Sequence, residues 1–198
     1  MPTRKNKVRF NLKNVHYATL SFEASGTPSF GTPIPVPGAV SLKITPKGEA
    51  EKFYADGGVY YIVNNNAGYE GELELAIIPQ DLCAYGLGET TDSNGVLVER
   101  SDAEFKPFAL LFEFDGDVRR IRHVLYNCVA SRPSTEGKTI EEKKEVQTET
   151  LSLTASSMPD GVVRARTGDE TTDAIYNGWY ESVYLPDTTN DGTTNDGN

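Results

Sequence analysis

The sequence predicts a mainly β protein, an antiparallel β-sandwich or barrel with one short flanking helix. The 198-residue chain is rich in rings that favour strands, with 10 Tyr and 8 Phe, and in turn residues, with 18 Gly and 11 Pro. Many segments alternate apolar and polar residues with a period of two, the spacing of a half-buried strand. These segments follow one another through turns, which favours antiparallel neighbours.

The first third of the chain contains three strand-like segments and a proline-rich loop. Residues 8–12 alternate apolar and polar side chains, and residues 40–44 do so again before the turn signal Pro-Lys-Gly. Residues 28–37 carry four prolines and can form neither a helix nor a central strand. Residues 53–63 are apolar and aromatic on both sides of an Asp-Gly-Gly kink. They predict an extended chain buried on both faces, with another subunit covering the second face.

The clearest strand is residues 70–78, in which apolar and acidic side chains alternate. Its apolar face consists of Leu73, Leu75 and Ile77, and its acidic face of Glu70, Glu72 and Glu74. Pro79 follows, and a proline in the first turn of a helix loses no hydrogen bond. The sequence therefore predicts a short helix over residues 80–85.

The second half predicts further β structure. Asn94-Gly95 is typical of a hairpin turn. A longer hairpin is predicted from residues 108–114, whose even-numbered positions are apolar, through Asp115-Gly116 to residues 121–130. Residues 146–155 and 162–165 predict two more strands.

The C-terminal region is less regular. Residues 131–145 are charged and predict a loop. Apolar residues at helical spacing over 175–183 predict a helix, although Gly178 weakens it and a strand over 179–184 is the alternative. From residue 186 the chain repeats Thr-Thr-Asn-Asp-Gly without an apolar side chain, which predicts a flexible polar tail over 186–198. The rest, residues 1–185, predicts one β domain.

The residues that usually carry chemistry do not form a recognisable set. Neither His16 nor His123 lies in a nucleophile context, and tetrahedral zinc needs four convergent ligands. Cys83 and Cys128 read as free buried thiols, whose small number indicates a reducing compartment. We therefore expect no enzymatic activity, no catalytic or metal-binding residue and no cofactor.

Charge argues against gripping nucleic acid as the main task, because the formal net charge is -10. An acidic surface can instead let DNA pass without adhering to it. The basic residues of the N-terminal segment, about residues 1–13, precede any acidic one: Arg4, Lys5, Lys7, Arg9 and Lys13. This segment is either a solvated strand or an arm that docks on the acidic surface of a neighbouring subunit. No apolar stretch follows it, and none is long enough to span a bilayer, which predicts a soluble protein made in a cytoplasm with no membrane partner.

Several segments together resemble the major tail protein of long, non-contractile bacteriophage tails. They include Tyr-Glu-Gly-Glu-Leu-Glu-Leu at 69–75 and Pro-Phe-Ala-Leu-Leu-Phe-Glu-Phe at 107–114. The others are residues 36–42, 53–56, 125–128 and 147–151. They occur in the family's order from about residue 8 to residue 184, and none is a catalytic signature.

The resemblance implies a β-sandwich or barrel of the tail-tube type, with the helix after the strand at residues 70–78. It implies homo-hexameric rings that stack into a tube and conduct phage DNA during ejection without binding it specifically. Implied partners are the tape-measure protein, the tail terminator and baseplate proteins, and the implied location is the virion tail, after synthesis in a host bacterial cytoplasm. The repeat at the C-terminus departs from relatives that carry an immunoglobulin-like domain there.

Two surfaces are predicted for such an assembly. The subunit interface comprises Arg4, Lys5, Lys7, Arg9, Phe53, Tyr54, Asp56, Val59, Tyr60 and Tyr61. The acidic lumen is lined by Glu70, Glu72 and Glu74. Two other interpretations stay open: a carbohydrate- or receptor-binding β-sandwich module of a tail fibre or adhesin, and a β-rich enzyme such as a glycosidase, which requires a buried carboxylate pair.

Overall fold

A computed structural model describes residues 5–139 and 146–187 as a mainly antiparallel β protein, with 46% strand and 8% helix. The strands are β1 (Arg9–Phe22), β2 (Pro28–Phe30), β3 (Ile34–Pro35), β4 (Ala39–Pro46), β5 (Ala50–Ala55), β6 (Gly58–Asn64), β7 (Tyr69–Leu75), β8 (Thr90–Thr91), β9 (Leu97–Val98), β10 (Phe108–Gly116), β11 (Ile121–Ala130), β12 (Glu149–Ser156) and β13 (Arg164–Arg166). The helices are α1 (Gln80–Gly86) and α2 (Asp173–Asn177), the latter continued by a 3-10 turn over Gly178–Tyr180.

One large sheet has the strand order β2-β1-β10-β11-β12-β7-β4, with β3 paired to β1 and β13 paired to β11. All of its described pairings are antiparallel, which confirms the predicted fold class. The sheet ends at β2 and β4 and does not close, and the barrel alternative is therefore wrong. Prolines shorten the β2 end, because a proline has no N–H to continue a ladder.

The centre of the sheet is buried on both faces. On one face, Tyr17, Phe108 and Leu110 pack with Leu73 of β7 and Leu82 of α1. The opposite face of β1, β10 and β11 forms a second cluster, which the C-terminal segment covers with Met158, Trp179 and Val183. The strands at the middle of a sheet therefore read as continuous apolar runs rather than as alternating ones.

Most predicted elements are confirmed. The hairpin of β10 and β11, the strand β4, the short helix α1 and the small β8–β9 hairpin around Gly95 all occur where the sequence places them. The late apolar residues form α2 and its 3-10 turn, and the strand alternative over 179–184 is wrong.

Two boundaries are corrected. β7 ends at Leu75, which leaves Ile77 71% exposed, and its predicted place on the apolar strand face is therefore wrong. The strand predicted to begin at residue 146 begins at Glu149. Residues 140–145 of the predicted charged loop and residues 188–198 of the predicted tail lie outside the described residues.

Candidate assembly surfaces

The first candidate surface is the hairpin of β5 and β6, hereafter the aromatic hairpin. Its turn is built by Asp56 and Gly57, whose φ angles are 52° and 79°. Phe53 pairs with Tyr61 and Tyr54 with Val59, which leaves Tyr60 as an extra residue in a bulge. At the base of the hairpin, the Lys47 N–H donates to the Gly68 carbonyl and the Ala67 N–H to the Lys47 carbonyl.

Both faces of the aromatic hairpin carry rings. Adjacent residues of a strand point to opposite faces, which separates Phe53 from Tyr54. The Tyr60 ring meets the Phe53 ring edge-on at a centroid distance of 6.4 Å and therefore lies on the Phe53 face. Tyr54 shares the other face with Val59.

The predicted burial of this segment is wrong within the single chain. Its large apolar side chains are between 47% and 71% exposed: Phe53, Tyr54, Val59, Tyr60, Tyr61, Ile62 and Val63. In the part of the chain that the structure describes, β5 and β6 pair only with each other, and no further strand covers an edge. The aromatic hairpin is thus an unpartnered surface, whereas its predicted contact with a second subunit stays a prediction.

The second candidate surface is the polar face of β4, β7 and β12. Glu70, Glu72 and Glu74 lie on its central strand, and the side chains of Leu73 and Leu75 point into the core on the other side. Thr45, Lys43 and Ser41 stand opposite the three glutamates on β4, and Thr154, Ser152 and Thr150 stand opposite them on β12. A shallow groove of about 430 Å³ follows this face.

Neighbouring side chains contact two of the three glutamates of the polar face. The Lys47 Nζ lies 2.6 Å from a Glu70 carboxylate oxygen. Thr148 and Ser41 donate hydrogen bonds of 2.7 and 2.8 Å to Glu74, and these bonds lower the pKa of its carboxyl group. Glu72 is exposed. The sequence pattern located the three glutamates on one face, but it did not indicate the lysine.

The basic N-terminal segment lies against its own chain. Arg9 opens β1 and pairs with Gly116, and Arg4 lies outside the described residues. The Lys7 N–H donates to Asp117 at 2.8 Å, and the Lys13 ammonium lies 2.9 Å from Asp115. Lys5 is exposed. Docking of this segment on a neighbouring subunit stays a prediction.

Sequence reasoning missed a buried carboxylate. Glu113 is 0% exposed and accepts hydrogen bonds from Asn14 at 2.8 Å and Arg120 at 3.0 Å on one oxygen, and from Arg122 at 3.1 Å and Tyr180 at 3.4 Å on the other. A glutamate inside an apolar strand was the one available signal, because such a residue needs partners. Two of its four partners, Asn14 and Tyr180, come from distant parts of the chain, which no local pattern shows.

Aromatic rings extend this network to the C-terminal segment. The Tyr176 ring lies between the guanidinium groups of Arg119 and Arg122, at 3.5 and 3.9 Å, and Arg122 also donates to the Tyr176 carbonyl. The Arg119 guanidinium lies 3.0 Å from Asp173. Glu113 and the two arginines therefore fix α2 and the following turn to the β10–β11 hairpin.

The cysteines and His16 lie apart from any cluster that could bind a metal ion within the described residues. Cys83 and Cys128 are free, and burial raises the pKa of the Cys128 thiol to about 12. The His16 ring lies 4.6 Å from the Tyr180 ring, with the two planes tilted by 33°. Among residues 5–139 and 146–187 there is no group of three or more His, Cys, Asp and Glu side chains arranged to hold a metal ion. No helix in the described ranges has the length and apolar character needed to cross a membrane.

His123 is buried in the sheet with 7% of its surface exposed. Its ring stacks on Phe112 at a centroid distance of 5.0 Å and meets Phe114 edge-on at 5.6 Å. Its Nε2 atom has no hydrogen-bond partner in the described structure. The site therefore accommodates a neutral imidazole rather than a charged one.

We expect the stability of the protein to fall in acid because of His123. Burial, followed by the positive charges of Arg164, Arg166 and Arg9, lowers its pKa from 6.5 to about 4. As the pH falls from about 6.5 to about 4, the unfolded chain binds the proton first, which should reduce the free energy of unfolding by about 3 kcal/mol. Urea titrations of the wild type and of His123→Phe at several pH values measure this. Parallel pH profiles for the two proteins would contradict it.

Comparisons with known proteins show similarity at the level of structure and not of sequence. No protein-family model matches the chain, and no curated protein matches it. A solved structure described as the cap of the anti-feeding prophage, a tube-terminating cap, is similar with a TM-score of 0.40 and 8% sequence identity. The alignment covers 85% of this chain and 98% of that one. Neither fold nor function is assigned from this likeness.

Proposed function

We propose that the chain is a structural subunit of a phage tail tube, which assembles with copies of itself into stacked rings. The aromatic hairpin is the observation that carries the proposal. Monomeric soluble proteins rarely expose large continuous apolar surfaces, and a larger one marks an interaction site. Here seven large apolar side chains crowd a two-stranded hairpin of residues 50–64.

The hairpin fits a contact between identical subunits. Both of its faces carry exposed apolar side chains, which suits insertion between two surfaces better than docking onto one. A ring of subunits closes when one patch of each subunit binds a different patch of the next subunit. The aromatic hairpin, whose two strands have unpaired outer edges within the described residues, supplies one of these two patches. Six subunits per ring, and contacts with tape-measure, terminator and baseplate proteins, come from the family resemblance in the sequence.

The polar face suits a lumen through which DNA passes. Its outward side chains are short hydroxyls, three glutamates and the lysines Lys43 and Lys47. Such a surface offers phosphates hydroxyl contacts and weak repulsion rather than a dense basic patch. The formal net charge of -10 points the same way. In this proposal the chain has no catalytic role.

The alternative of a carbohydrate- or receptor-binding module is less well supported. Such a module needs exposed rings beside a groove. The groove on the polar face is lined by Lys43, Thr45, Glu70, Gly71, Glu72, Ser131, Ser152, Leu153 and Thr154, which include no ring. The most exposed rings, those of Phe53, Tyr54, Tyr60 and Tyr61, lie on the aromatic hairpin instead. A glycosidase needs a pair of carboxyl groups. The buried carboxylate of the described structure, Glu113, is paired with Arg120 and Arg122 rather than with a second carboxyl group.

The direct test is self-assembly of the purified full chain. We expect rings and tubes in electron micrographs at high protein concentration, and a sedimentation profile that shifts to large species as concentration rises. Assembly should be sensitive to the aromatic hairpin and insensitive to added sugars. A chain that remains monodisperse and monomeric at high concentration would contradict the proposed function.

A further inference from the structure

Three arginines lie around the buried His123. Arg164 and Arg166 lie on β13, where Arg166 pairs with His123 and Arg164 with Leu125. Arg9 of β1 places its guanidinium 5.1 Å from the centre of the Phe114 ring, which itself touches His123. We refer to Arg9, Arg164 and Arg166 as the arginine cluster.

The floor beneath the arginine cluster is aromatic and holds an unsatisfied polar atom. Phe114 lies under Arg9, and the Tyr69 ring lies 4.8 Å from the Arg164 guanidinium. The Nε2 atom of His123 is buried behind them without a hydrogen-bond partner in the described residues. Rings beneath guanidinium groups hold them in place while leaving their N–H donors free for an oxygen ligand.

The cluster differs from the other arginines in its lack of partners. Within the described ranges, five arginines pair with carboxylates of the same chain: Arg100, Arg119, Arg120, Arg122 and Arg132. The ion pairs of the described structure include none for Arg9, Arg164 or Arg166, and all three are exposed. Three like charges around one histidine repel one another, and an anion brought among them relieves that repulsion.

We propose that the arginine cluster is a carboxylate-binding site whose occupant is a second copy of this chain. The proposal rests on the proposed self-assembly. The chain has 29 acidic residues against 19 basic ones, and every neighbouring copy therefore presents carboxylates in excess. Planar guanidinium groups match carboxylates with two parallel hydrogen bonds. Nucleic acid is the less suitable occupant, because three arginines fall short of the dense basic patch or stripe that binds a phosphate backbone.

A labelled oligoglutamate peptide tests the site on the full chain, independently of assembly. We expect fluorescence anisotropy to show salt-sensitive binding, weakened roughly tenfold in the double variant Arg164→Gln with Arg166→Gln. The matched control, Arg100→Gln with Arg132→Gln, removes two exposed arginines that already have partners and should bind as the wild type does. Equal binding by wild type and cluster variant, or equal weakening in the control, would overturn the site.

Two further measurements separate folding and occupant. Arg164→Lys with Arg166→Lys keeps the charges and should retain most of the binding, whereas loss of binding in this variant together with a lower free energy of unfolding would overturn the site in favour of a purely structural role. If duplex DNA binds the cluster more tightly than the peptide does, a second copy is not the occupant.

Assembly gives the last outcome. Normal tubes from the glutamine double variant would also show that a second copy is not the occupant, and they would leave the proposed function unaffected. A wild type that never assembles contradicts the proposed function, and the peptide measurement still decides the site.

Discussion

Replacing Tyr54 and Tyr60 with aspartate is expected to abolish assembly while leaving the chain folded. The two tyrosines are 64% and 71% exposed, and their rings therefore contribute little to the stability of the described chain. Exposed substitutions of this kind usually change the free energy of unfolding by no more than about 0.5 kcal/mol. Chemical denaturation of the double variant should therefore match that of the wild type.

The expected effect on assembly is large because the two positions address both faces of the aromatic hairpin. Tyr60 lies on the face of Phe53, and Tyr54 lies on the opposite face with Val59. Each ring buried in a contact contributes about 1.5 to 3 kcal/mol, and a carboxylate in the same place has to be desolvated without a partner. Every contact between identical subunits contains the same two substitutions. The loss of binding free energy therefore recurs at each contact along a tube.

The measurement is electron microscopy and sedimentation of the double variant beside a matched control. Ile77→Asp is that control, because Ile77 is as exposed as Tyr60 but lies beyond the end of β7, outside the hairpin. We expect no tubes from the tyrosine variant and normal tubes from the control. Normal tubes from both would show that the hairpin is not an interface, and loss of tubes in both would show that assembly tolerates no added charge.

The hairpin also shows which part of the fold the sequence could predict. Residues 53–63 were correctly predicted to be extended, because ring-rich segments around Asp-Gly-Gly have few other conformations. Their burial within the single chain was wrongly predicted, because an apolar composition does not show whether the same chain has a surface available to cover the segment. The core strands use their own apolar faces on α1 and on the C-terminal segment. Within residues 5–139 and 146–187, no apolar face of the sheet is then left to cover β5 and β6.

The buried polar network around Glu113 could not be predicted from the sequence, for a different reason. Period-two alternation located β7 and the β10–β11 hairpin, since both patterns are local. The partners of Glu113 include Asn14 and Tyr180, which are 99 and 67 residues away along the chain. Only the register of β1 against β10, and the return of the C-terminal segment over the second face, bring these groups together. The arginine cluster is assembled in the same manner, because β1 pairs with β10 and β13 pairs with β11.

Glu113 is expected to be the most sensitive single position for stability. Glu113→Gln removes the negative charge between Arg120 and Arg122, and the amide turns a donor towards groups that are themselves donors. The Arg122 side chain is only 13% exposed, which leaves its charge poorly solvated once its partner is lost. Breaking a buried ion pair from one side costs about 3 to 5 kcal/mol. Urea denaturation should show a loss of that order.

A matched exposed pair distinguishes this effect from a general sensitivity to lost charge. Arg132 and Glu99 also form an ion pair, but their side chains are 63% and 47% exposed. Glu99→Gln should therefore change the free energy of unfolding by no more than about 1 kcal/mol. Equal losses in Glu99→Gln and Glu113→Gln would contradict a special role for the buried network.

Trp179 fluorescence shows which part of the structure Glu113→Gln destabilises. It is the only tryptophan of the chain, it is 2% exposed, and it lies in the 3-10 turn beside Tyr180, which donates to Glu113. If the network holds the C-terminal segment on the sheet, Trp179 emission in the variant should shift to the solvent-exposed value at a lower urea concentration than the loss of β-sheet circular dichroism. The two signals should coincide in the wild type. Coincident transitions in the variant would mean that Glu113 stabilises the sheet as a whole, and not the attachment of the segment that covers its second face.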